Sequence, residues 1–266
     1  MLTRPLFGFL NRTGGIIYVT ETEKQAVMRM YDWQELYIEG DAQAYREAYI
    51  EKDSKRCRII SAQQDEMGMT ASAVLTLKMI HHFKPEYVVM PGIAAGTGNL
   101  SISNDQEYGD VLLADSVWNY SNGKYVSPHI AEIVFGEIGF NPRPTVVNIT
   151  GDHMQKIFEF IDSDTNEFYV HYGPLASGTA VVANKSLLQK QVMANFQNTK
   201  GIEMEGYGVA YAAAHAADPK PSVIIAKSVC DFADERKDDS YQRFAAYTSC
   251  GFVKDLLERV LDYHGK

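Results

Sequence analysis

Four carboxylates carry the chemistry this sequence can offer. Glu203 and Glu205 flank Met204 in GIEMEGYG, Asp231 stands in KSVCDFAD, and Glu23 follows Thr20 in VTETEK. Carboxyl groups gathered in one place can donate a proton, accept one, or hold hydroxyls and water. Each residue also has a bland alternative of equal weight when taken alone. Glu203 and Glu205 suit the start of a helix, where the dipole favours negative charge. Asp231 suits the cap of the helix that follows it, and Glu23 lies at the capping-box spacing from Thr20. Their common placement is harder to dismiss. The apolar run Ser222 to Val229 reads as a buried strand ending on Cys230-Asp231, and α/β proteins bind ligands outside the carboxyl ends of their strands. Glu23 can close a helix and still face such a site, because that helix starts where the first strand, Ile16 to Val19, ends.

The elements that must position these groups follow from the apolar patterning. Ala44 to Glu51 and Arg56 to Ser61 read as antiparallel strands joined across Asp53-Ser54. A helix is expected from Thr70 to Phe83, ending on His81 and His82, which suit its negative end. Adjacent histidines on a helix point apart, so they do not chelate one metal. Tyr87 to Met90 is a buried strand that runs into PGIAAGTGNL, read as a glycine-rich turn. That turn is neither G-x-G-x-x-G nor a P-loop; its physical meaning is close backbone approach, with glycines letting amide N–H groups face a ligand without a Cβ in the way. Val111 to Asp115 begins a strand that continues through Trp118 and Tyr120 to a hairpin turn at Asn122-Gly123, and Pro128 to Gly151 reads as loop-rich. Asp152 to Ile161 is a helix, and Phe168 to Tyr172 a strand leading into a second glycine turn, GPLASG. A small strand, Ala180 to Ala183, a helix, Lys185 to Phe196, and a small-residue helix, Tyr207 to Ala216, come next. The chain closes on an amphipathic helix, Tyr241 to Tyr263, with Phe244, Tyr247, Phe252, Leu256, Leu257, Val260 and Leu261 on its apolar side. No repeat or linker divides residues 14–266, which are expected to form one domain behind an N-terminal arm, residues 1–13.

Composition narrows the function. A 266-residue chain with 45% hydrophobic and 11% aromatic residues can bury a sizeable core. A net charge of −9 argues against a nucleic-acid partner, which needs clustered Lys and Arg. Cys57, Cys230 and Cys250 are widely spaced, so neither a disulfide framework nor a zinc site is expected, and a reducing cytoplasm suits them. No metal or other cofactor is called for. No apolar run reaches about 18 residues, so no membrane span is expected. The patch Leu6 to Leu10 is too short for a signal segment.

The segments VMPGIAAG, YGPLASG, IEMEGYG and KSVCDFAD, in that order, resemble the signatures of the nucleoside phosphorylase and nucleosidase superfamily. The similarity is to the branch of methylthioadenosine/adenosylhomocysteine nucleosidases and related effector N-glycosidases, and it covers nearly the whole chain. It implies a single α/β domain whose mixed sheet closes into a distorted barrel flanked by helices. It also implies a homodimer and a small-molecule nucleoside as substrate. Carried over residue by residue, Asp231 matches the acid at purine N7 and Glu23 the glutamate that activates the attacking water. Glu205 matches the carboxylate on the ribose hydroxyls, Met204 the methionine under the ribose, with Glu203 beside them. Gly92 to Gly96, with Gly92, Ile93 and Ala94 as its binding residues, match the glycine loop beside the sugar, and Ala176 to Gly178 the turn leading to the base. Several positions depart from the family. Ile93 stands for a hydroxyl residue, Val181 for the aromatic that stacks on the purine, Thr179 for an aspartate, Cys230 for a serine and Lys227 for an arginine.

The chemistry agrees with the resemblance. Breaking an N-glycosidic bond builds positive charge on the ribose and negative charge on the base, which calls for an acid at the base and carboxylates near the sugar, as in O-glycosidases. Val229 and Phe232 give Asp231 an apolar setting that favours its protonated form. Phosphate as the nucleophile would need clustered cations, whereas the loop MPGIAAG has none and Glu23 suits water. Hydrolysis is therefore expected over phosphorolysis. A nucleoside sensor would have no use for a water-activating carboxylate. A purine is expected because it presents N7, with adenine favoured. An uncharged 5′ end is slightly favoured over a phosphorylated one, since only Lys24, Lys227, Arg236 and Lys237 are at hand.

Overall fold

The computed structural model describes residues 13–52, 55–98, 106–127, 139–163, 165–234 and 239–263. The arm at 1–12, the Asp53-Ser54 turn, most of the Pro128 stretch, and Arg236 and Lys237 lie outside the described residues. In chain order the strands are β1 (Thr13–Tyr18), β2 (Gln34–Leu36), β3 (Tyr45–Lys52), β4 (Lys55–Gln63), β5 (Tyr87–Gly96), β6 (Val111–Asn119), β7 (Gly123–Tyr125), β8 (Phe140–Pro142), β9 (Thr145–Asn148), β10 (Val170–Ser177), β11 (Gly201–Glu203) and β12 (Ser222–Asp231). The helices are α1 (Glu21–Met28), α2 (Met69–Phe83), α3 (His153–Ile161), α4 (Lys185–Leu187, continued as a π-helix over Leu188–Met193), α5 (Gly206–His215) and α6 (Gln242–Asp255, continued as a π-helix over Leu256–Val260).

The central sheet is mixed and closes on itself. β5 pairs with β12 in parallel and with β11 antiparallel; β11 continues to β10, β10 to β6, and β6 back to β12. These five strands form the distorted barrel, and β1, β4, β3 and β2 extend the sheet beyond β5 as an open wing. β1 is buried along its whole length, as expected of a strand covered on both faces. Fully buried Val88, Val89, Met90, Ile224 and Ile225 make the neighbouring β5 and β12 part of the core, and α2, α5 and α6 pack against the sheet.

Several expectations are corrected. Both glycine-rich "turns" are strand: β5 runs on through Pro91 to Gly96 and β10 through Pro174 to Ser177. In each case the barrel wall continues past the first glycine, Gly92 or Gly173, whose small size serves packing rather than chain reversal. Residues 180–183 have no regular structure. After β6 the chain does turn, but β7 pairs with β8 in a separate two-stranded sheet and β6 takes β9 as its antiparallel neighbour. The supposed loop region thus contains two short strands. The helix expected to Phe196 ends at Met193 and the terminal helix at Val260. Phe244 and Tyr247 of that helix are exposed, not core.

Candidate active site

Glu23, Asp231, Glu203, Glu205 and Met204 line one pocket at the carboxyl ends of β1, β5 and β12, together with Ile93, Ala94, Val181 and Cys230. All four carboxylates are buried, so none is the solvated surface charge of the bland alternative. Asp231 is not a helix cap either, because α6 begins only at Gln242.

Glu23 is held by three backbone amides. Thr20 Oγ1 accepts from Glu23 N–H at 3.1 Å, completing the capping box. Glu23 Oε2 accepts from the N–H groups of Val19 and Thr20, each at 2.9 Å, and Oε1 accepts from Ile93 N–H at 3.0 Å. A carboxylate offers about four acceptor directions. Three are filled by amides, which leaves Oε1 room for one more donor. The cap and the site are therefore the same residue. Ile93 enters through its backbone, so the absence of a hydroxyl side chain there does not cost Glu23 a partner.

Behind Glu23 lies Lys227, fully buried on β12, with Nζ 3.8 Å from Glu23 Oε1 and no hydrogen-bond partner among the described residues. Burial alone would strip its charge. The carboxylates of Glu23, Glu203 and Glu205 outweigh that effect and hold its pKa above the ordinary lysine value. Gly92 makes this contact possible: it has φ 152°, and a Cβ there would fall on Glu23 Oε1 and Lys227 Nζ. Its N–H donates to Ser249 Oγ at 3.0 Å, fixing β5 to α6.

Glu203 and Glu205 divide the work. Glu203 Oε2 accepts from the N–H groups of Glu205 (2.9 Å) and Gly206 (2.7 Å), and Oε1 accepts a short hydrogen bond from Ser177 Oγ. It is consumed in holding the start of α5. Glu205 has one described bond, Oε1 accepting from Gly68 N–H at 2.8 Å, and so keeps an oxygen for the pocket. Burial, reinforced by the nearby Glu203 and Glu23 charges, raises its pKa to about 7 against the pull of Lys227.

Asp231 is aimed by a β-bulge. Val229 pairs with Ala94 and Asp231 with Ala95, so Cys230 is an extra residue. Adjacent β5 residues face opposite ways; the bulge therefore puts Val229 and Asp231, two apart in sequence, on different faces. Asp231 Oδ1 accepts from Ala233 N–H at 2.8 Å, and Cys230 Sγ lies 3.4 Å from Oδ2 as a weak donor.

Three sequence-derived candidates lie off the pocket surface. Lys227 and Gly92 are behind it, and Thr179 lines a neighbouring cavity instead. Lys24 is bridged to Glu21 at 3.1 Å on the surface. Residues that sequence reasoning missed include Met67, Ala180, Val182, Ile202 and Gln242. Met67 comes with Gly68, whose amide holds Glu205, and Gln242 with the start of α6. Both are placed by tertiary contacts that carry no local signal. Among the described residues there is no cluster of His, Cys, Asp and Glu suited to a metal ion, and no helix long and apolar enough to cross a membrane.

Comparison with known proteins accords with this geometry. The uncharacterized protein y4jS of Sinorhizobium fredii is 29% identical over 87% of this chain and 57% of its own length. A death domain-containing ATP nucleosidase of the sponge Amphimedon queenslandica is 25% identical over 79% of this chain and 41% of its own. The chain thus spans about half the length of these two relatives. Among solved structures, the 5′-methylthioadenosine/S-adenosylhomocysteine nucleosidase of Neisseria meningitidis, in complex with methylthio-immucillin-A, superposes with a TM-score of 0.72 at 20% identity, over 94% of this chain and 100% of that one, and shares the fold. The family model of the phosphorylase superfamily matches residues 16–262, and the chain belongs to that superfamily.

Proposed function

We propose that this chain is a nucleosidase that hydrolyses the N-glycosidic bond of a purine nucleoside, with adenine favoured, to free base and sugar. The observation that carries the reading is the division of one pocket between Glu23, whose remaining acceptor direction suits a water, and Asp231, aimed into the pocket from the bulged end of β12. The bond from C1′ to N9 breaks with both electrons going to the base, and Asp231 delivers a proton to N7. Positive charge on the ribose is offset by Glu23. Water adds to C1′ and gives its proton to Glu23, while Glu205 accepts from the ribose hydroxyls above Met204. Each proton transfer of this kind is worth about 10² to 10⁴ in rate.

Water rather than phosphate is favoured as nucleophile, because among the described residues the pocket surface offers carboxylates and no cation; Lys227 is enclosed behind them. The same shortage favours an uncharged 5′ end. A nucleotide is the second reading, supported by the sponge relative's ATP nucleosidase name. The likeness to methylthioadenosine/adenosylhomocysteine nucleosidases supports the first. A homodimer in the cytoplasm is part of the proposal, as the family resemblance implies. A side-by-side assay of adenosine, methylthioadenosine, AMP and ATP, with free base measured by chromatography, decides between the two readings. Preference for either nucleotide would reject the uncharged 5′ end, and preference for uridine would reject the purine.

A further inference from the structure

Building on the purine reading, we infer that the base site continues past residues 180–182 into a second cavity that takes an uncharged substituent on the six-membered ring of the base. Ala180, Val181 and Val182 line both the catalytic pocket, of about 170 Å³, and a neighbouring cavity of about 440 Å³. The partition is a single stretch of chain without regular structure. It hangs from two side chains at the end of β6: Tyr120 Oη donates to Ala180 O at 3.2 Å, and Ser121 Oγ accepts from Thr179 N–H at 3.0 Å. At its centre Val181 is 60% exposed, an unusual state for a β-branched apolar residue between two cavities.

The second cavity has a chemical character of its own. Among the described residues its lining holds no Asp, Glu, Lys, Arg or His, in contrast to the four carboxylates next door. Aromatic surface comes from Tyr120 and from the Tyr125–Phe140 pair, whose rings are 5.1 Å apart, and polar groups come from side chains such as Gln191. The described lining offers an ion no charged partner, whereas it offers contacts to a neutral group with an apolar body. The direction follows from the assigned contacts. With N7 at Asp231 and the sugar over Met204 and Glu205, the part of the purine left to face Ala95, Ile202 and residues 180–182 is the six-membered ring. A substituent on that ring leads toward the partition, and at Val181 a small side chain stands where bulk would close the way.

The test compares binding of adenine and N6-benzyladenine to the full chain by calorimetry. The wild type is expected to bind N6-benzyladenine about tenfold tighter, as burial of a phenyl group allows. Ala183→Trp, which narrows only the second cavity, should abolish that advantage and leave adenine binding unchanged; Tyr125→Ala should reduce it from the opposite wall. Equal or weaker binding of N6-benzyladenine by the wild type, or an advantage that survives both substitutions, overturns the subsite. Adenine binding with N6-benzyladenine excluded would reject the subsite alone. Failure of both bases to bind would reject the purine reading beneath it.

Discussion

The two sides of the pocket are built differently. On the sugar side, Glu23 and Glu203 each accept two or more protein hydrogen bonds, Glu205 accepts one, and a buried lysine balances the cluster from behind. On the base side, Asp231 accepts from the Ala233 amide and lies against the Cys230 thiol, and the facing segment 179–183 has no regular structure. A preorganised charged shell is what transition-state stabilisation needs. A loosely held wall is what a change of base specificity needs, because it can be altered without disturbing buried charge. On the proposed function, water activation and the ribose contacts fall to the first half, and the proton donor and the choice of base to the other.

The comparison breaks most visibly at Lys227. Lys227→Met would leave the three surrounding carboxylates without their buried cation, and removing one partner from such a cluster costs roughly 3–5 kcal/mol. Urea unfolding should show that loss together with loss of turnover; a fully stable, active Lys227→Met chain would mean the cluster is not charged as described. Asp231→Asn should act on the other side with little effect on folding, cutting base release by about 10² or more. Near-normal turnover by that variant on a purine substrate would remove Asp231 from its role.

Glu205 gives an intermediate effect with a defined sign. Its carboxyl holds a proton in the folded chain up to about pH 7, against an ordinary value of 4.5. Between those values the folded state binds more protons than the unfolded one, so stability falls as pH rises through this window. Glu205→Gln removes that loss. It should raise the Tm at pH 8 by about 3 °C, the scale of a 1 kcal/mol gain in a domain this size, while turnover drops. Calorimetry at pH 5 and pH 8 checks this, and an equal Tm change at both would contradict the assigned protonation.

The smallest effect belongs to the partition. Val181→Phe should tighten adenine binding only a few-fold, through about 1 kcal/mol of ring stacking, and leave Glu23 chemistry intact. A large fall in the rate of the chemical step for that variant would show that the two sides are not separable.

The legibility of the molecule in its sequence follows the same line. The antiparallel β3–β4 pair, α2, β12 and the Thr20–Glu23 capping box were readable because period, length and cap chemistry are local. So were the four carboxylates, two at strand ends (Glu203 and Asp231) and two at the helix starts that follow strands (Glu23 and Glu205). The continuation of β5 and β10 through their glycines was not, since a glycine run signals a turn by propensity while the closed barrel supplies partners that keep it extended. Ala180 to Ala183 has strand-like residues but no pairing partner, and side-chain hydrogen bonds decide its path. The bulge at Cys230 and the amide of Gly68 on Glu205 depend on register and long-range contact, which no spacing rule encodes.

The central claim is that water, held by Glu23, displaces a purine protonated by Asp231. The most direct test is to incubate the chain with adenosine and methylthioadenosine, with and without inorganic phosphate, and to resolve the products by chromatography. The account predicts free adenine and free sugar at the same rate in both buffers, with both products lost in Glu23→Gln. Adenine release that requires phosphate and yields a sugar 1-phosphate would contradict it.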